Sequence, residues 1–272
     1  MTRDSYSYLN DVCVVAQEAG KRILQVYERD FGVTQKDDRS PLTEADRVSH
    51  EWIAQRLSEL TPEIPVLSEE SAQVEYAQRS QWRRFWLVDP LDGTKEFISR
   101  NGEFTVNIAL IEGGRPVLGV VHVPVRDETF SACRGRGAFY QRGSDAPTTI
   151  RARRFAGDHP TVVASRSHAG KETTDFLQRI GSHEITSMGS SLKLCLVAAG
   201  KADVYPRLGP TMEWDTAAAQ SVVEEAGGEV VDMQRRPLTY NKPDLHNPWF
   251  IVSGAGGHDW TQYLPVELLA SP

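Results

Sequence analysis

"WLVDPLDGTKEF" occupies residues 86–97. An apolar run stops at two aspartates, Asp89 and Asp92, with Gly93, Thr94 and Lys95 directly behind them. Two carboxylates about 4 Å apart repel by roughly 4 kcal/mol at an effective dielectric near 20. Such a pair makes sense beside something strongly positive. Pro90 has no N–H and fixes φ, so residues 89–92 are expected to form a stiff turn that aims both aspartates at one spot. The Leu91 carbonyl is then free to join them. Gly93 and Thr94 are expected to open a helix, and free N–H groups at a helix start suit a phosphate. Ordinary turn and N-cap chemistry would explain an Asp pair around Pro-Leu equally well.

Acids elsewhere favour a cation. Glu69 and Glu70 end the apolar stretch "PVLSEES" (65–71), and Asp215 opens a helical pattern in "EWDTAAA" (213–219). An all-oxygen set of this kind suits hard cations, Mg²⁺ or Mn²⁺, rather than zinc. The three cysteines, Cys13, Cys133 and Cys195, lie far apart with no CxxC, which fits a reducing cytoplasm and no structural zinc. A net charge of −7 argues against a general nucleic-acid surface. It leaves room for a small anionic substrate, because bound cations invert the local field. The N-terminus lacks an apolar signal region, and no apolar run is long enough to span a bilayer.

At 272 residues the chain suits one large domain or two modest ones. Leu9, Val12, Ala16, Ala19, Ile23 and Val26 recur at helical spacing over 8–27, and a second helix is expected from near Thr43 to about Leu60. Strands are expected at 85–89, 104–111 and 117–123, with a hairpin turn at Glu112-Gly113-Gly114-Arg115-Pro116, and at 128–133 and 138–141 around "RGRG". Residues 151–160 are polar and broken by Gly157 and Pro160, which marks a candidate boundary. Beyond it strands at 161–164, 183–188 and 202–206 alternate with helices at 171–180, 190–200 and 214–226. The chain thus divides into an α+β metal-binding domain, 1–152, and an α/β substrate-binding domain, 153–272, that contributes Asp215. "RGRG" (134–137), glycines flanking an arginine between strands, reads as a hairpin turn rather than a phosphate loop, and "GAGGH" (254–258) does not follow the strand-to-helix pattern of a dinucleotide fingerprint.

"SPLTEAD", "PVLSEES", "WLVDPLDGTKEFISRNGEFTVNIALIEGG", "SRSH" and "GSSLKLCLVAAGKADVYPRLGPTMEWDTAAA" together resemble the inositol monophosphatase superfamily. Within it they look most like the bacterial CysQ-type 3′(2′),5′-bisphosphate nucleotidases. The likeness runs over roughly residues 8–254, and one departure is Ala219, where the family usually has glycine. It implies a layered α/β/α/β/α sandwich and a Mg²⁺-dependent phosphatase using two or three ions, with Mn²⁺ able to substitute. Glu69, Asp89 and the Leu91 carbonyl correspond to ligands of one Mg²⁺. Asp89 would bridge to a second ion completed by Asp92 and Asp215. Glu70 and Thr94 would orient the attacking water, and Asp46 would pair with the Thr94 hydroxyl. Thr43 and Asp46 also nearly match a capping box, a purely structural role.

The substrate implied is adenosine 3′,5′-bisphosphate, with its 3′-phosphate over Gly93 and Thr94, and the sulfate ester of the same nucleotide is an expected second substrate in sulfur assimilation. A second phosphate needs cations away from the metals. Arg166 and His168 in "SRSH", Ser190 and Lys193 in "GSSLK" and Arg207 in "VYPRLG" are the candidates. Against them stand a plain N-cap for Ser190, a solvated lysine for Lys193 and a surface histidine for His168. Two rival functions remain: an inositol-1-phosphate phosphatase, which needs no second-phosphate cations, and a non-catalytic nucleotide sensor. A monomer or homodimer is expected, cytoplasmic or peripheral on the cytoplasmic face of the inner membrane. Lithium sensitivity is implied by the likeness alone.

Overall fold

Strand β2 (Arg84–Asp92) shows why the central run has no polar face. Phe85 and Leu87 point into one core, Trp86 and Val88 into another, and all four are buried. A strand covered on both faces has no position where a polar residue is cheap. The computed structural model describes residues 4–29, 41–71, 73–165 and 170–264, with backbone only at 41–43 and 165.

β2 belongs to a seven-stranded sheet in sequence order. It comprises β1 (Val66–Ser68), β2, β3 (Thr105–Glu112), β4 (Arg115–Val123), β5 (Glu128–Cys133), β6 (Gly137–Arg142) and β7 (Thr148–Ile150). Within this sheet, among the described residues, only β1 and β2 pair in parallel. The β3–β4 hairpin turns at Gly113 and Gly114, whose φ values of 58° and 73° are those of a tight two-residue turn. Helices α1 (Leu9–Tyr27) and α2 (Pro41–Leu60) cover one face, packing Ile23, Ile53 and Leu57 on Trp86, Val106 and Ile108.

The rest of the chain supplies α3 (Tyr76–Arg79), α4 (Thr94–Ile98), α5 (Lys171–Ile180), α6 (Leu192–Ala198) and α7 (Glu213–Glu225). It also supplies β8 (Thr161–Ser165), β9 (Glu184–Met188), β10 (Val204–Arg207), β11 (Glu229–Asp232) and β12 (Phe250–Ser253). These strands form a second sheet in the order β11-β12-β10-β8-β9. α6 and α7 lie in the core shared by the two sheets, and α5 packs on the outer face of the second. α7 approaches β4 so closely that a Cβ on Gly119 would stand 2.2 Å from the Ala218 carbonyl oxygen. The layers are therefore α/β/α/β/α, the architecture the resemblance implies. No described helix is long and apolar enough to cross a membrane.

Several elements depart from expectation. α2 starts at Pro41 rather than near Thr43, since proline is well suited to the first helical position. β7, β11 and β12 have no counterpart in the sequence pattern. They are three or four residues long, and long-range pairing defines them. Trp260 and Leu264, in a segment beyond the resemblance, are buried against α5 and close the outer core.

Candidate active site

The acids gather where β1 and β2 end beside the start of α7. β2 does not finish in a turn at Asp89, as expected. Asp89 pairs with Asn107 and Asp92 with Thr105, with a bulge between them. Pro90 has no N–H for the ladder, so the bulge falls there. Asp89 is buried, and its Oδ1 accepts a hydrogen bond from the Leu91 N–H at 3.0 Å. The Ser49 hydroxyl donates to the Pro90 carbonyl at 2.8 Å, fixing α2 to the bulge. Asp46 lies one turn before Ser49. With the helix starting at Pro41, Asp46 falls in its second turn, which removes the capping-box alternative.

Electrostatics shows what the cluster lacks. Burial raises the Asp89 carboxyl well above the usual range, and Asp92, Glu69 and Asp215 push it further. Burial raises Glu69, with Asp92 adding to it, and the Asp89 side chain hydrogen-bonds to it. Asp215 is pushed up to about 7 by burial and by Asp92, against the Met212 N–H that donates to its Oδ2 at 2.9 Å. Asp46 also rises to about 7, from burial and from the charges of Glu70 and Glu69. Neighbouring carboxylates that oppose one another's ionisation are what a divalent cation relieves. Among the described residues no three of these acids stand in a ready-made ligand arrangement. The fit lies in the all-oxygen donor set and its mutual repulsion.

Asp92 joins the two halves. Its Oδ2 accepts the Ser191 N–H at 2.6 Å and lies 3.4 Å from Asn107 Nδ2 and 3.5 Å from Thr105 Oγ1. Ser191 Oγ donates to Asn107 Oδ1 at 2.8 Å and sits 2.8 Å from Thr105 Oγ1. Burial raises the Asp92 carboxyl, while Lys193 and these donors pull it down. Thr105, Asn107 and Ser191 were not singled out from the sequence. The available signal was two polar residues spaced by two on one face of an otherwise apolar strand.

α4 is a single turn introduced by Gly93, whose φ of 100° favours glycine. Thr94 is exposed on it, and α2 packs against α4, yet no hydrogen bond joins Thr94 to Asp46. Glu69 and Glu70 form a short turn after β1 and are exposed as residues. Gly93, Thr94, Ser190, Lys193, Arg207 and Asp215 line one cleft. Ser190 is not the helix cap: α6 begins at Leu192 after Ser191, and Ser190 holds a φ of 45°. A left-handed serine costs about 1–3 kcal/mol and is typical of binding sites.

Lys193 is not a solvated lysine. It is 8% exposed, its Nζ lies 5.7 Å from the Tyr205 ring centroid, and burial lowers its ammonium. Among the described residues it forms no ion pair. Arg207 donates from Nη2 to the Pro210 carbonyl at 2.7 Å, while its buried Nε has no partner. Two cations with spare donors thus face the cleft. Arg166 and His168 lie outside the described residues.

A profile of the inositol monophosphatase family matches residues 7–257. The 3′(2′),5′-bisphosphate nucleotidase CysQ of Escherichia coli (strain K12) is 50% identical over 248 residues, covering 90% of this chain and 99% of that protein. The crystal structure of CysQ from Bacteroides thetaiotaomicron, at 48% identity, superposes with a TM-score of 0.81 over 89% of this chain and 95% of the other. An inositol monophosphatase from Zymomonas mobilis, 26% identical, gives 0.75 over 96% and 97%.

Proposed function

The chain belongs to the inositol monophosphatase family, and we propose that it is a Mg²⁺-dependent 3′(2′),5′-bisphosphate nucleotidase that releases the 3′-phosphate of adenosine 3′,5′-bisphosphate. Members of this family are metal-dependent phosphatases that generally use Mg²⁺. The observation that carries the substrate class is the pair Lys193 and Arg207. Among the described residues, a buried ammonium without an ion pair and a guanidinium with an orphaned buried Nε flank the same cleft as Asp92 and Asp215. A monophosphate ester whose phosphate sits on metals has no use for both. The second phosphate of a nucleotide bisphosphate does.

Glu69, Asp89 and the Leu91 carbonyl would hold one cation, with Asp89, Asp92 and Asp215 holding the other; Mn²⁺ suits the same oxygen donors. When bound, the cations supply an acidified water and neutralise the departing ester oxygen. The chain's own residues do the remainder. Glu70 and the Thr94 hydroxyl would orient the water, and Asp46, whose carboxyl burial raises to about 7, would in its ionised form take the water's proton through Thr94. Gly93 and Thr94 cradle the scissile phosphate. Ser190 steadies the nucleotide, with Lys193 and Arg207 on its distal phosphate. His168, on the strength of the resemblance, belongs to the same substrate set. On a proposed division at about residue 152, the acids of β1 and β2 belong to one half and the distal cations, with Asp215, to the other. We propose hydrolysis of the sulfate ester of the same nucleotide as a second activity and a cytoplasmic location.

Phosphate release with Mg²⁺ from adenosine 3′,5′-bisphosphate, inositol 1-phosphate and fructose 1,6-bisphosphate tests this directly. The nucleotide is expected to be the best substrate by at least tenfold in kcat/KM. Equal efficiency on inositol 1-phosphate would overturn the substrate assignment, and nucleotide binding without any phosphate release would favour a sensor.

A further inference from the structure

One carboxylate in the cleft belongs to neither the metal cluster nor the fold. Glu96, on α4, lines the cleft beside Thr94, Ser190 and Lys193. It is half-buried, and among the described residues its carboxylate accepts no hydrogen bond and makes no ion pair. Its position is nonetheless fixed. A Cβ on Gly93 would stand 3.3 Å from Glu96 Oε2. One on Gly189 would stand 2.4 Å from Cγ and 3.0 Å from Oε1. The side chain therefore spans from the glycine under the scissile phosphate to the turn that leads into α6. Gly189 has an ordinary negative-φ backbone; its missing side chain leaves the room that Glu96 fills.

An unpartnered anion is an odd lining for a cleft that receives a substrate with two phosphates. An ionised carboxylate only accepts hydrogen bonds, so beyond favouring the Lys193 charge across the cleft it is suited to a donor on the substrate. We propose, building on the nucleotidase reading, that Glu96 is a specificity-determining residue that accepts a hydrogen bond from the ribose 2′-hydroxyl. That hydroxyl sits on the carbon next to the one bearing the 3′-phosphate, just as the carboxylate sits against Gly93. Carboxylates read ribose hydroxyls in the same way in dinucleotide-binding folds. The enzyme is thereby selective for a ribonucleotide over its 2′-deoxy counterpart.

The test compares kcat/KM for adenosine 3′,5′-bisphosphate with that for 2′-deoxyadenosine 3′,5′-bisphosphate. Wild type is expected to favour the ribonucleotide by roughly tenfold to a hundredfold, the worth of one charge-assisted hydrogen bond. Glu96→Ala is expected to bring the ratio within about threefold of unity, with Glu96→Gln intermediate, because its amide oxygen still accepts. Gly189→Ala, which must displace the Glu96 side chain, is expected to lower the ratio as well. Each protein's deoxy rate is its own reference, so a general loss of folding or metal leaves the ratio unchanged. A wild-type ratio near one would overturn the assignment, and so would a ratio that Glu96→Ala leaves intact. Failure of the wild type to release phosphate from either nucleotide would instead overturn the nucleotidase reading, and this inference with it.

Discussion

Asp89 and Glu213 are both buried acids, 1% and 0% exposed, and they live in opposite surroundings. Glu213 accepts hydrogen bonds from the Asn241 and Lys242 N–H groups and from the Lys242 ammonium. Asp203 is likewise held by both arms of Arg153, at 2.7 and 2.6 Å, and by the Thr161 N–H at 2.7 Å. Asp89 has one backbone donor, and its charged neighbours are other acids. The chain thus brings its own cations to the carboxylates that hold the fold. On the proposed reading, the cluster at the ends of β1 and β2 is left to a cation from solution. Burial alone does not separate a structural acid from a functional one. The partner does.

Exchanging one acid from each set is the sharpest way to break that contrast. Asp89→Asn is expected to cut kcat on the nucleotide by about a thousandfold, equivalent to about 4 kcal/mol, while the metal-free melting temperature holds or rises. Glu213→Ala is expected to do the reverse. It removes the carboxylate partner of a half-buried ammonium and of two N–H groups, costs about 3 kcal/mol, and lowers Tm by roughly 6–12 °C. Thermal melts and steady-state rates on the two proteins check this, and a destabilised Asp89→Asn protein would erase the distinction.

A smaller effect is expected at the distal cations. Lys193→Ala or Arg207→Ala should lower kcat/KM on adenosine 3′,5′-bisphosphate by roughly tenfold to a hundredfold. Inositol 1-phosphate turnover, measured alongside, should change much less. Parallel losses on both substrates would mean that these residues support the site as a whole rather than a second phosphate.

The smallest expected effect is on stability against pH. Asp46 and Asp215 titrate near 7 in the folded, metal-free chain, against about 3.9 when unfolded. The folded state therefore binds more protons across that window. Its stability from these groups is full below about pH 4 and is lost as pH rises through about 7. Mg²⁺ favours the ionised acids, so the rise in Tm that it produces should be several degrees larger at pH 8 than at pH 5. An equal rise at both values would detach the two acids from the cation.

Much of the site was legible because its residues are clustered in short stretches. "DPLDGT", "SEE" and "EWD" each place acids at an element end, and the double-sided burial of β2 follows from its unbroken apolar run. What escaped notice depends on contacts distant in sequence. The Ser191 N–H meets Asp92 from 99 residues away, and Glu213 meets Lys242 across 29. Lys193 sits in "SSLKLCLV", where one charge among apolar residues resembles a solvated helix face. Its burial follows only from the packing of α6 between two sheets. At Pro90 the sequence suits a turn and a bulge equally, because both accommodate a proline after a strand.

The most direct test of the contrast between self-paired and cation-seeking acids is calorimetric titration of Mg²⁺ into metal-stripped protein at pH 7. Wild type and Glu213→Gln are expected to show saturable binding with release of protons, as the carboxyl groups near neutrality give theirs up. Asp89→Asn is expected to lose at least tenfold in affinity. Unaltered binding by Asp89→Asn, or no binding by wild type, would contradict the assignment of these carboxylates to a metal.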